Sequence, residues 1–221
     1  MKRVKALALC LVVLTMLLAL AGCGNSAPDL SGTYTTEIDL APIVNESMAQ
    51  AGLAAEDLEG LTFVVPFTLT LSDDGTFTLE ADNDATVASF RAYLEGFSAL
   101  LENLVYAAAD DAALSREEFD AAFKEETGYS VSDYVGQLAD MFDEDDLLEM
   151  LEDDNDSGYY KATEDKLFFA EDKDDFSEDD YVTYILENGT LTFTELTGDV
   201  LDFAATADMI DDFFPLVFTK Q

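Results

Sequence analysis

The chain contains no histidine and no tryptophan, only two cysteines, and ten lysines and arginines set against 48 aspartates and glutamates. Each shortage closes a class of chemistry. Without an imidazole there is no Ser-His-Asp triad, no histidine zinc site and no side chain whose ordinary pKa lies near neutrality. A formal charge of −38 excludes nucleic acid as a natural partner, because phosphate binding requires cations. The same charge disfavours docking on anionic lipid headgroups. No glycine-rich phosphate loop and no dinucleotide fingerprint occur in the sequence. Strong acidity can signal disorder, yet 49% of the residues are hydrophobic and Phe and Tyr are plentiful. The composition therefore fits a folded domain with a highly charged surface.

The basic opening Met1-Lys2-Arg3-Val4-Lys5 precedes an apolar run from Ala6 to Gly22. That run has 17 residues, short of the roughly 20 that cross a hydrocarbon core. It ends in Leu20-Ala21-Gly22-Cys23 and is followed by small and polar residues rather than a basic flank. A charged start, a short apolar stretch and small residues before a cleavage point describe a secretory signal. Leu20-Ala21-Gly22-Cys23 resembles the lipobox of bacterial lipoproteins. That resemblance implies cleavage before Cys23, lipidation of Cys23, and residence on the extracytoplasmic face of a bacterial cell membrane. Residues 1–22 would then be signal, 23–29 a lipidated tether and 30–221 a single domain. Cys10 would leave with the signal, so no disulfide, thiolate nucleophile or cysteine-ligated metal is open to the remaining chain. Loss of Lys2, Arg3 and Lys5, with no acidic residue, moves the formal charge from −38 to −41.

Period-two alternation then marks the strands. Leu30 to Asp39 is rich in Thr, and Leu61 to Leu71 sets Phe67, Leu69 and Leu71 on one face. Ser72-Asp73-Asp74-Gly75 signals a hairpin, with Asp-Gly supplying positive φ angles, and Thr76 to Leu79 is the return strand. Further on, 158–163 pairs with 166–170 about Glu164-Asp165, and 181–186 with 190–196 about Asn188-Gly189. A last strand over 213–219 contains Pro215, which suits an edge or a strand start. These segments give eight strands, and successive hairpins imply an antiparallel meander suited to a small up-and-down barrel.

Helices separate some of these strands. Pro42 to Gln50 reads as a short helix with proline in its first turn. From Ser89 to Ala108, Phe90, Leu94, Phe97, Leu101 and Leu104 recur at helical spacing. Ser115-Arg116-Glu117-Glu118 is a capping box that opens a helix closing at Gly128. A third helix spans 131–151 and places Tyr134, Leu138, Met141, Leu148 and Leu151 to bury. The fold class is α+β: an antiparallel eight-stranded meander with a three-helix insertion, about 85–153, between the third and fourth strands.

Gly32-Thr33-Tyr34 on the first strand and Phe218-Thr219-Lys220 on the last resemble the Gly-x-Trp opening and the basic closing strand of lipocalins. The resemblance implies a lipocalin-like barrel in which Tyr34 plugs the base and Lys220 lies across it. The chain departs from lipocalins in lacking Trp, in having no helix after the last strand, and in its helical insert. The combination of lipobox and strand order is also similar to uncharacterised lipoproteins of Gram-positive gut bacteria.

One motif points to a metal. Asp153, Asn155, Ser157, the Tyr159 carbonyl and Glu164 occupy positions 1, 3, 5, 7 and 12 of an EF-hand calcium loop, with Gly158 at position 6. Against it stand Ser157 where an acid or amide is usual, Lys161 beside the site, and a strand pattern where the exit helix belongs. The competing reading is a helix end with a glycine stop, followed by strands. The acidic runs at 143–146, 172–175 and 178–180 read as solvated faces. Their mutual repulsion would be relieved by weak calcium binding.

Together these features predict a non-enzymatic, lipid-anchored surface protein that binds a small ligand or another surface protein, with no catalytic residues. The membrane is reached through the lipid. The alternatives are a structural or envelope-spacing lipoprotein without a specific ligand, a weak calcium-binding surface protein, and a hydrolase using paired carboxylates.

Overall fold

A computed structural model describes residues 27–111, 114–139, 147–148, 156–198 and 213–221. Eight strands form a closed barrel in which each strand pairs with the next in sequence. They are β1 Gly32–Asp39, β2 Val64–Leu71, β3 Thr76–Ala81, β4 Asp156–Ala162, β5 Lys166–Ala170, β6 Tyr181–Glu187, β7 Thr190–Thr197 and β8 Leu216–Lys220. All pairings are antiparallel, and β8 closes back on β1. The alternation that identifies the strands also fills them. Val65, Phe67, Leu69 and Leu71 of β2 are buried while Val64, Pro66, Thr68 and Thr70 are only partly covered. Tyr34, Phe77, Phe169, Tyr184, Phe193 and Phe218 come inward from other strands and are likewise buried. An eight-stranded barrel is just wide enough for side chains to occupy its interior. Here aromatic and leucine side chains occupy it.

The two best-marked hairpins use different turns. Asn188 and Gly189 both have positive φ (53° and 83°), forming a two-residue turn whose twist matches the strands. Around Gly75 only the glycine does so, at 85°. The Ser72 N–H donates to Thr76 O at 2.8 Å, so Asp73, Asp74 and Gly75 make a three-residue loop with a glycine bulge rather than a two-residue Asp-Gly turn. The Asp74 carboxylate accepts from the Thr76 hydroxyl (2.7 Å) and N–H (3.1 Å). These bonds hold its carboxyl below the usual range.

Helix α1 (Ala41–Gln50) and the single turn α2 (Ala55–Leu58) connect β1 to β2. In chain order, α3 (Asn83–Asp111), α4 (Arg116–Thr127) and α5 (Val131–Ala139) lie between β3 and β4. Helix α3 begins six residues before Ser89 because Asp82 caps it, its carboxylate accepting the Ala85 N–H at 3.0 Å. The Ser115 capping box forms as read, and Gly128 closes α4 in the left-handed region. The buried face follows the spacing on α3 and is rotated from it on α5. On α3 Phe97 of the expected stripe is buried, Phe90, Leu94 and Leu101 are half-buried against the core, and Tyr93 is buried beside them, its ring centre 6.2 Å from that of Phe63. On α5, Val131 and Val135 are buried while Tyr134 and Leu138 are exposed at 42% and 37%. Tyr134 meets Phe123 of α4 edge-on at 5.7 Å instead of entering the core. Leu148 is half-buried; Met141 and Leu151 lie outside the described residues. Among the described residues no helix is long and apolar enough to cross a membrane.

The Tyr184 hydroxyl donates to Thr163 O at 2.7 Å inside the barrel wall. Burial, reinforced by the Asp165 carboxylate, pushes its pKa up to about 12. The raised value favours the neutral form in the folded state, so its stabilisation is complete below pH ~10 and disappears as pH climbs towards 12. Tyr184→Phe should therefore lose about 1 kcal/mol at neutral pH with the hydrogen bond. It should also lose less further stability than the parent between pH ~10 and ~12. Chemical denaturation at several alkaline pH values compares the two.

Candidate functional site

The barrel closes along only part of its seam. Strand β1 pairs with β8 at Tyr34↔Lys220 and Thr35↔Thr219, whereas it pairs with β2 along its whole length, from Gly32↔Leu71 to Asp39↔Val64. Main-chain direction alternates along an antiparallel strand. The Gln221 N–H donates to Thr33 O at 2.9 Å, and the Leu40 N–H donates to Phe63 O at 2.7 Å. Odd-numbered residues of β1 thus face β8 and even-numbered ones face β2. On β8 the Lys220 N–H donates to Gly189 O in the β6–β7 turn, so Val217 faces β1. Continued in register, the ladder would next join Glu37 to Val217 and then Asp39 to Pro215. Pro215 has no N–H to give. That rules out a full pair at Asp39; the pairing ends before Glu37, at Thr35↔Thr219, and the main chain of Glu37 is left facing an opening.

That opening is a cleft of about 500 Å³. One wall is Thr36 to Asp39 of β1 with Pro42, Ile43 and Glu46 of α1; the other is Phe213 and Pro215 to Val217. A second groove of about 480 Å³ continues from it over the outer face of β8, β1 and β2, sharing Thr36, Glu37 and Val217. Val217 is 48% exposed and Glu37 is exposed. The Asp39 carboxylate is already engaged, accepting the N–H groups of Ala41 (3.0 Å) and Phe63 (2.9 Å). It fixes the start of α1 against the end of β1 and so shapes the cleft's upper wall. The cleft offers an acidic rim, apolar lining and a stretch of β1 edge that pairs with no strand among the described residues.

Tyr34 and Lys220 meet at the end of β1. Tyr34 is buried with its hydroxyl donating to Leu30 O at 2.8 Å. The Lys220 ammonium lies 5.5 Å from the Tyr34 ring centre and donates to Ser31 O at 2.6 Å. This pair latches the first strand to the last where the ladder is complete.

The sequence-derived calcium residues are not assembled. Asp153 and Asn155 lie outside the described residues, as does Cys23. Ser157 and Tyr159 belong to β4, opposite Thr78 and Thr76, and Glu164 lies in the β4–β5 turn. An extended chain rises about 3.3 Å per residue, which separates Ser157 from Glu164 by roughly 20 Å. Ser157 and Glu164 are thus held apart, and a strand stands where an EF-hand has its exit helix. Gly158 is a strand residue, not a helix stop. Among the described residues no group of three or more Cys, Asp or Glu side chains is placed to hold a metal.

The cleft escaped sequence reasoning because the strands that frame it stand at opposite ends of the domain. Pro215 was its one local signal. Compared with protein-family models, curated proteins and solved structures, the chain matches none.

Proposed function

We propose that the protein is a lipid-anchored, non-enzymatic binding module on the extracytoplasmic face of a bacterial, Gram-positive membrane. Its lipocalin-like barrel serves as a rigid frame rather than a container. The observation that supports this reading is the position of the free space. The interior is occupied by buried aromatic and leucine side chains, while the cleft opens sideways at the β1–β8 seam. A partner therefore docks on the wall of the barrel. Cys23 supplies the anchor, and several acyl chains on one residue give durable attachment at about 0.8 kcal/mol per buried methylene. Asp39 has a structural task in the cleft, one of its carboxylate oxygens accepting two backbone N–H groups.

The filled interior also favours a second reading, a spacing lipoprotein that keeps its acidic surface outside the membrane and binds nothing beyond loosely held calcium. Anchoring is common to both readings and is tested first. Cys23→Ser should abolish incorporation of labelled fatty acid and release the domain into the medium. Retention in the membrane fraction with the label intact contradicts the anchor.

A further inference from the structure

We propose that the seam cleft binds an extended, basic segment of a partner protein, added as a strand against the free edge of β1. The inference rests on the partner-binding reading above and names the partner's chemistry. Two observations lead to it. The N–H and C=O of Glu37 face the cleft with no β8 partner, since the β1–β8 ladder ends at Thr35↔Thr219. An exposed sheet edge is satisfied by main-chain pairing with an added strand. The side chains that line the cleft beside that edge are of two kinds: Glu37 and Glu46 are acidic and exposed, and Ile43 and Val217 are apolar. Acidic and apolar surface on either side of an edge favours an incoming strand that carries both basic and apolar residues, whose side chains point alternately to its two faces.

Charge separates this occupant from the others. A second copy of the chain would bring its own −38 to the same acidic rim. Like charges across an interface suppress pairing. A basic segment is attracted by the whole surface and is then held in register by the edge, which distinguishes capture in the cleft from diffuse attraction.

The test uses the full chain and a short labelled peptide alternating lysine and valine, followed by fluorescence anisotropy. A twin peptide carries N-methyl groups on alternate amides, with its charge kept and its main-chain donors removed. The parent peptide should bind. The N-methylated twin, and the parent peptide on Glu37→Lys, should each bind at least about tenfold more weakly. Glu125→Lys, an exposed reversal on α4, should leave binding unchanged. Equal binding of both peptides, equal weakening by Glu37→Lys and Glu125→Lys, or no binding overturns the proposal.

A photoreactive residue introduced in cells at position 217, and separately at exposed Tyr129 on the helical side, tells this failure from failure of the underlying reading. Crosslinks from position 217 to a basic segment of one protein agree with the inference. A partner captured only from position 129 overturns the cleft and leaves the binding module standing. Capture at neither position contradicts both.

Discussion

Phe193→Ala is expected to destabilise the barrel by about 3 to 5 kcal/mol. The Phe193 side chain is 2% exposed, and its ring centre lies 4.8 Å from that of Phe218. It sits on β7 opposite Leu216, in the pairing that holds β8 in the wall. Deleting the ring removes its transfer free energy and leaves a void, which the surrounding strands cannot close because hydrogen bonds on both sides fix their spacing. Urea denaturation should show the loss as a lower midpoint with little change in slope. A cost below about 1 kcal/mol would mean a loosely filled interior, and the barrel would again be a candidate container for a small ligand.

Gly158→Ala is the second large effect, and it comes from adding one carbon. Gly158 lies on β4 opposite Phe77. A Cβ there would run into the Ala170 carbonyl and come within 3.2 Å of the Phe77 ring. The obstructing atom on the β5 side is backbone, so relief requires the strands to move apart. The same ring meets Phe169 edge-on at 4.7 Å, so the shift would also disturb a core aromatic pair. An overpacked site of this kind costs about 1 to 3 kcal/mol. Gly128→Ala gives a contrast: its φ of 86° is strained for alanine, but nothing lies within 4 Å of an added Cβ. The prediction for Gly158 fails if its alanine variant unfolds at the same denaturant concentration as the parent.

Both sites show where the sequence is informative. Phe193 is readable because Leu191 and Phe193 alternate with Thr190, Thr192 and Thr194, the signature of a wall with core on one side and water on the other. The Asn188-Gly189 turn and the Ser115 capping box are legible for a similar reason: each is a local bargain between neighbouring residues and is complete within a few positions. Gly158 is not legible. A glycine after an acidic helical stretch resembles a helix stop or a metal loop, and only the approach of β5 explains it. The helix faces are half-legible. The apolar stripe of α5 is broad enough to bury either Val131 and Val135 or Tyr134 and Leu138, and packing against α3 and α4 decides which. The seam lies furthest from the sequence's reach, since Glu37 and Val217 come to line one cleft only through closure of the whole barrel.

The account turns on that seam: a filled barrel, latched by Tyr34 and Lys220 at one end of the β1–β8 junction and open beyond Thr35. Amide hydrogen exchange on the free protein measures it residue by residue. The open edge predicts rapid exchange at Glu37 and Val217, beside strong protection at Thr35 and Thr219 and along the β1–β2 ladder. Equal protection at Glu37, Val217, Thr35 and Thr219 would mean that the ladder runs to its end, and the cleft and the docking role drawn from it would be contradicted.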